Sequence, residues 1–155
     1  MTKNRTYTIA IDFDGTCVTH AFPHVGKEIG AVKPLRALTD NGHKLILYTM
    51  RDHNELSNSW NPEEHDTLEE AIAWFAKNDI PLYGVNENPD QTWSNSRKVY
   101  ADLYIDDAAL GTPLRLRPEF SPRPFVDWNK VTYMLYELSL INSEQLQSIG
   151  MEKVL

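Results

Sequence analysis

Apolar residues in this chain gather into four short runs, "TYTIAID" (residues 6–12), "KLILYTM" (44–50), "PLYGVN" (81–86) and "ADLYIDD" (101–107). They are rich in β-branched and aromatic residues, and their near-continuous apolarity suits strands covered on both faces. Between them the period lengthens to that of helices. "VKPLRALTDNG" places Pro34 near a helix start and Gly42 where a helix stops, and "DTLEEAIAWFAKND" offers Asp66 as N-cap with Glu69 three residues on. Leu68, Ile72 and Phe75 share one face of that second helix. A third, "DWNKVTYMLYELSLI", starts at Asp127 and turns Val131, Met134, Leu135 and Leu138 inward, with a short helical tail after Asn142. The proline-rich "GTPLRLRPEFSPRPF" (111–125) reads as a loop. Strands alternating with helices predict an α/β fold: a Rossmann-like, mostly parallel sheet flanked by helices.

At 155 residues the chain supports one sizeable core, so residues 1–155 are read as a single domain. The formal net charge of -7 gives no general attraction to nucleic-acid phosphates or anionic membrane, although it does not exclude nucleic acid at a local basic patch. A lone cysteine, Cys17, excludes an internal disulfide, and residues 1–12 lack the apolar core of a signal peptide. No run reaches membrane-spanning length. A cytoplasmic setting is the expectation.

Ligands of open α/β sheets bind beyond the carboxyl ends of the strands, and three of the four runs end there in reactive residues: Asp12 and Asp14, then Thr49 and Arg51, then Asp106 and Asp107. A carboxylate at Asp12 can attack phosphorus and form an aspartyl phosphate. Asp14, beyond a bend that Gly15 permits, can protonate the leaving oxygen and later take a proton from water. A carboxylate approaches an anionic phosphate readily only when a cation screens both, and Mg²⁺ prefers a few carboxylates with substrate oxygen and water, which the acids at the end of the last run complete. The hydroxyl and backbone amide of Thr49, with Arg51 nearby, can donate to phosphoryl oxygens. Lys98, just before the last run, can pair with nucleophile and phosphoryl group together.

"DFDGT", a strand-end threonine, a later lysine and "YIDD" resemble, in that order, the four motifs of the haloacid dehalogenase (HAD) superfamily over roughly the first three-quarters of the chain. The resemblance implies Asp12 as nucleophile, Asp14 as general acid/base, and Thr49 and Lys98 as phosphate binders. It implies Mg²⁺ held by Asp12, Asp107 and the Asp14 backbone carbonyl, with Asp106 in a supporting role. Only the short segment "CVTHAFPHVGKEIGAV" separates Asp14 from the first helix, and no cap domain fits there or between Thr49 and Lys98, so the chain looks like a capless member, similar to small HAD-like hydrolases of bacteria and their phages. The implied activity is Mg²⁺-dependent phosphomonoester hydrolysis on a phosphorylated small molecule or a phosphorylated macromolecule end, and a homo-oligomer is possible.

Rival readings share parts of this pattern. The same fold could serve a phosphotransferase, a nucleotide or polynucleotide-end phosphatase, or a non-catalytic module binding a phosphorylated ligand. Carbon–halogen hydrolysis needs no acid at Asp14, and a phospho-accepting receiver domain would carry its acceptor aspartate where Thr49 stands. Around the site, His20, His24 and His53 are read as solvated loop residues, Cys17 as a small buried one, Trp74 and Phe75 as core, and Trp60 and Trp93 as local packing. Arg115, Arg117 and Arg123 cluster unevenly for so acidic a chain, and are candidates for selecting an anionic substrate.

Overall fold

A computed structural model describes residues 5–53 and 66–150 of the chain. The four apolar runs form strands β1 (Thr8–Ile11), β2 (Lys44–Leu47), β3 (Gly84–Val85) and β4 (Leu103–Ile105). All four are parallel, in the order β3-β2-β1-β4. Helices α1 (Val32–Asp40), α2 (Thr67–Lys77), α3 (Trp128–Glu137) and α4 (Ser143–Ile149) flank the sheet. As expected, the Asp66 side chain caps α2 by accepting from the Glu69 amide, and Asp127 caps α3 through the amides of Asn129 and Lys130. None of the described helices is long and apolar enough to cross a membrane.

Burial follows the alternation of side chains along a strand. Ile9 and Ile11 of β1, with Leu45, Leu47 and Ile105 beside them, join Leu35 and Leu38 of α1, Leu68 and Phe75 of α2, and Val131 and Leu135 of α3 in one apolar cluster. Burying each of these side chains is worth about 1.5–3 kcal/mol, so the cluster fixes which face of each strand points inward. Ala10, Ile46 and Tyr104, in register across β1, β2 and β4, occupy the other face. That face is covered by the crossover between β3 and β4, which forms no helix. Its path is set by single polar side chains: Asn88 Nδ2 donates to the Tyr100 carbonyl, Gln91 Oε1 accepts from the Tyr100 amide, and Asn88 Oδ1 accepts from the Asp90 amide.

Two expectations need correction. The segment 111–125 is not all loop, because β5 (Leu114–Arg115) pairs antiparallel with β6 (Phe125–Val126). Leu114, Leu116, Arg115 and Arg117 alternate as a strand does, with Pro113 just before β5 and the other prolines in the connection beyond Arg117. On α3, Val131 and Leu135 are buried as expected, whereas Met134 and Leu138 are 46% and 48% exposed. The buried places belong to Trp128 and Thr132, which complete the inward stripe.

Candidate functional site

The register of β1 against β4 carries on past the strand ends and sets Asp12 beside Asp106. The Asp12 amide donates to the Ile105 carbonyl at 3.0 Å. Asp12, Asp106 and Asp107 converge so that one oxygen from each lies within 4.8 Å of the others. Thr16 ties the group together. Its hydroxyl lies 2.9 Å from Asp12 Oδ2 and 3.3 Å from Asp107 Oδ1, and accepts from the Asp107 amide at 3.0 Å. Gly15 makes the return possible with φ +80°, and a Cβ there would sit 2.6 Å from Asp107 Oδ2 and 2.1 Å from His20 Nε2.

Burial first, and then the neighbouring charge of Asp106, raise the Asp12 carboxyl from 3.8 to about 8. Such a cluster lacks a cation. Arg51 is spent elsewhere, Lys98 Nζ lies 5.6 Å over the Tyr104 ring, and among the described residues no ion pair joins either to Asp12, Asp106 or Asp107. His20, whose Nε2 lies 2.8 Å from Asp107 Oδ2, is the nitrogen base in contact. The donor set of hard carboxylate oxygens fits a divalent cation such as Mg²⁺. Asp106 and Asp107 each bring one oxygen into this group.

Asp14 turns the other way, onto Arg51. Nε donates to Asp14 Oδ2 at 2.8 Å and Nη2 to Oδ1 at 2.7 Å, a two-pronged grip. Nη2 also donates to the His24 carbonyl, and Nη1 to the carbonyls of Pro23 and Thr67. All five N–H groups of the guanidinium are therefore taken. It is 2% exposed and lies 5.0 Å from the Phe13 ring centre and 5.3 Å from that of Phe22. Arg51 thus has no donor left for a phosphoryl oxygen, which corrects the phosphate-binding role expected of it. It holds the acid and the flap, residues 19–28, as one unit.

Thr49 also differs from expectation. Its amide is not free but donates to Asn86 Oδ1 at 2.8 Å, while its hydroxyl accepts from the Arg51 amide at 3.1 Å. The hydroxyl proton remains available beyond the strand end. Lys98 stands over an aromatic ring instead of on the nucleophile, although Tyr104 is only two residues from Asp106. Thr16, His20 and Asn86 are the contributors that the sequence reading left without a role. Thr16 stood inside the quoted "DFDGT", and for His20 and Asn86 no local signal exists, since their partners lie 87 and 37 residues away.

Peripheral expectations mostly hold. Cys17 is fully buried and its thiol is pushed well up, first by that burial and then by the charge of Asp12. Trp74 and Phe75 pack edge to face in the core, and Trp93 is 64% exposed and packs on Tyr100. His53 pairs with Asp66 at 3.1 Å, and Trp60 lies outside the described residues. Of the arginines in the segment 111–125, Arg117 pairs with Glu119 and leans on Phe120. Lys27 of the flap donates to the Phe120 carbonyl, which joins the two segments beside the site. A cavity of about 630 Å³ opens at the opposite end of the sheet. Its His43 is satisfied there on both ring nitrogens, by the Tyr7 amide and the Leu140 carbonyl.

No family model and no curated protein matches the chain. Among solved structures, a conserved protein from Bacteroides thetaiotaomicron is 33% identical over 86% of this chain and 93% of that one, with a TM-score of 0.64.

Proposed function

The chain belongs to the same family as that conserved Bacteroides protein, and from the geometry of its site we propose that it is a Mg²⁺-dependent phosphomonoester hydrolase of the HAD type, acting through an aspartyl phosphate. The observation that carries the reading is the cation-poor convergence of Asp12, Asp106 and Asp107 at the carboxyl end of a parallel sheet, with a second, separately anchored carboxylate two residues beyond Asp12. Asp12, Asp106 and Asp107, with the Asp14 backbone carbonyl, would hold the Mg²⁺, whose charge screens carboxylate from phosphate when bound. Asp12 attacks phosphorus as the bond to the leaving oxygen breaks, and Asp14, protonated on one oxygen and still held by Arg51 through the other, gives that leaving oxygen its proton. Water then attacks the aspartyl phosphate, Asp14 takes the proton back, and phosphate leaves with Asp12 restored. The Thr49 hydroxyl donates to a phosphoryl oxygen, and Lys98, released from Tyr104, reaches toward the same group.

A panel of phosphate esters spanning sugar phosphates, nucleotides, phosphorylated oligonucleotide ends and phosphopeptides, run with and without Mg²⁺, tests this reading. Metal-dependent phosphate release is expected on at least one class. Its absence from every ester would leave a phospho-ligand binding module as the better account.

The raised Asp12 carboxyl makes a second test independent of turnover. The folded chain keeps this proton where the unfolded chain, near 3.8, has lost it. Between about 4 and 8 the folded state therefore binds more protons, and the stability of metal-free protein falls as pH rises through that window. Mg²⁺ binds the ionised cluster, so the melting temperature gained from millimolar Mg²⁺ is expected to be larger at the top of the window than at its acid end. A Mg²⁺ shift that is absent, or equal across the window, contradicts the placement of the cation at Asp12.

A further inference from the structure

Helix α3 carries two stripes, of which the core uses one. Outside the buried stripe of Val131 and Leu135, Tyr133, Met134 and Leu138 stand 44%, 46% and 48% exposed. At 3.6 residues per turn, Lys130 and Glu137 fall on the line that runs between Tyr133 and Met134. The outward face thus reads Lys130, then Tyr133 with Met134, then Glu137, with Leu138 on its flank. Among the described residues neither charge has an ion-pair partner.

At the N-terminus of α3 the Asp127 cap supplies the anion that the peptide dipole favours. The last turn holds Glu137 and no base, an anion where the dipole favours a cation. A second copy laid antiparallel across this face gives both Lys130 and Glu137 a partner of opposite charge. With the two-fold axis passing between Tyr133 and Met134, Lys130 meets Glu137 of the partner subunit, and Tyr133 meets Met134 of the partner subunit. Each helix then gains a base beside its C-terminus, where its own last turn has none. The face is self-complementary, which is the requirement of an isologous two-fold interface, and its apolar centre is of the kind enriched at interfaces.

We propose that the chain self-associates as a two-fold dimer through this face of α3. One short helix contributes less than the roughly 800 Å² per partner of a standard interface, so the dimer is expected to be weak, with a Kd on the order of micromolar or above.

Sedimentation equilibrium on the full chain, from low micromolar to roughly millimolar concentration, tests the proposal with charge reversals. Lys130→Glu and Glu137→Lys each set like charges together twice across the axis and should raise Kd by about tenfold or more. The double variant restores opposite charges and should return to within a few-fold of the original. An equimolar mixture of the two single variants should associate more tightly than either alone. Circular dichroism and thermal melting of each single variant separate lost association from a weakened fold. A monomer at every concentration, a dimer indifferent to the single reversals, or a double variant that does not recover overturns the proposal.

Discussion

Asp12→Asn is expected to abolish phosphate release and, in the same protein, to raise stability. The amide keeps the shape of the side chain and an oxygen for the Thr16 hydroxyl, which lies 2.9 Å from Asp12 Oδ2, but it cannot form the aspartyl phosphate. Removing a nucleophile that no other group replaces costs more than roughly three orders of magnitude in turnover. Stability moves the other way because the native carboxylate is buried against Asp106 and pushed up to about 8. A neutral side chain removes that repulsion at alkaline pH and changes little in acid, where Asp12 is already protonated. The metal-free variant should therefore melt higher than the parent above pH 8 and close to it near pH 5, with most of the Mg²⁺-induced stabilisation gone. A variant that turns over normally refutes the nucleophile. One that is inactive but destabilised at alkaline pH refutes the electrostatic account of the cluster.

Loss of the Arg51 side chain should produce the largest change in stability. Arg51→Ala leaves the Asp14 carboxylate without its two donors and the carbonyls of Pro23, His24 and Thr67 without theirs. Breaking a buried ion pair by removing one partner costs about 3–5 kcal/mol, read as a lower urea midpoint. Arg51→Lys keeps the charge but offers three donors from a point where five were spread over a planar fork, so its loss should be intermediate. In both variants Asp14 is no longer held, and turnover should fall most for esters with poor leaving groups, whose departure depends on the acid. On an Asp14→Asn background, the further substitution of Arg51 should cost little additional activity. An Arg51→Lys protein as stable and as active as the parent would show that the two-pronged grip is incidental.

The strands and helices were legible because each rests on local rules. Short apolar runs bounded by turn residues announced the four parallel strands, and Asp66 and Asp127 announced the starts of α2 and α3 by capping their own backbone within three residues. The convergence of Asp12 with Asp106 and Asp107 was legible as well, because parallel strands bring their carboxyl ends to one edge. What stayed hidden was the use to which donors are put. Nothing near Arg51 in sequence says that its guanidinium faces Asp14, 37 residues earlier, and nothing near Thr49 says that Asn86 takes its amide. Both were read as groups free to meet phosphate, yet the Arg51 guanidinium and the Thr49 amide are committed within the protein, which leaves the Thr49 hydroxyl. On α3, hydrophobicity alone could not separate the stripe that meets the sheet from the stripe that meets solvent, because Met134 and Leu138 are as apolar as Val131 and Leu135.

The helix-free crossover between β3 and β4 bears on how such a protein can diverge. A helix in that position would move as a body, and a substitution on it would be constrained by every turn above and below. Here the path up to Tyr100 is shaped by Asn88, Gln91 and their few main-chain partners, each a separate decision in the sequence. Descendants of one ancestor can therefore lengthen, shorten or rewrite this segment a residue at a time while the acids at the strand ends stay where the sheet puts them.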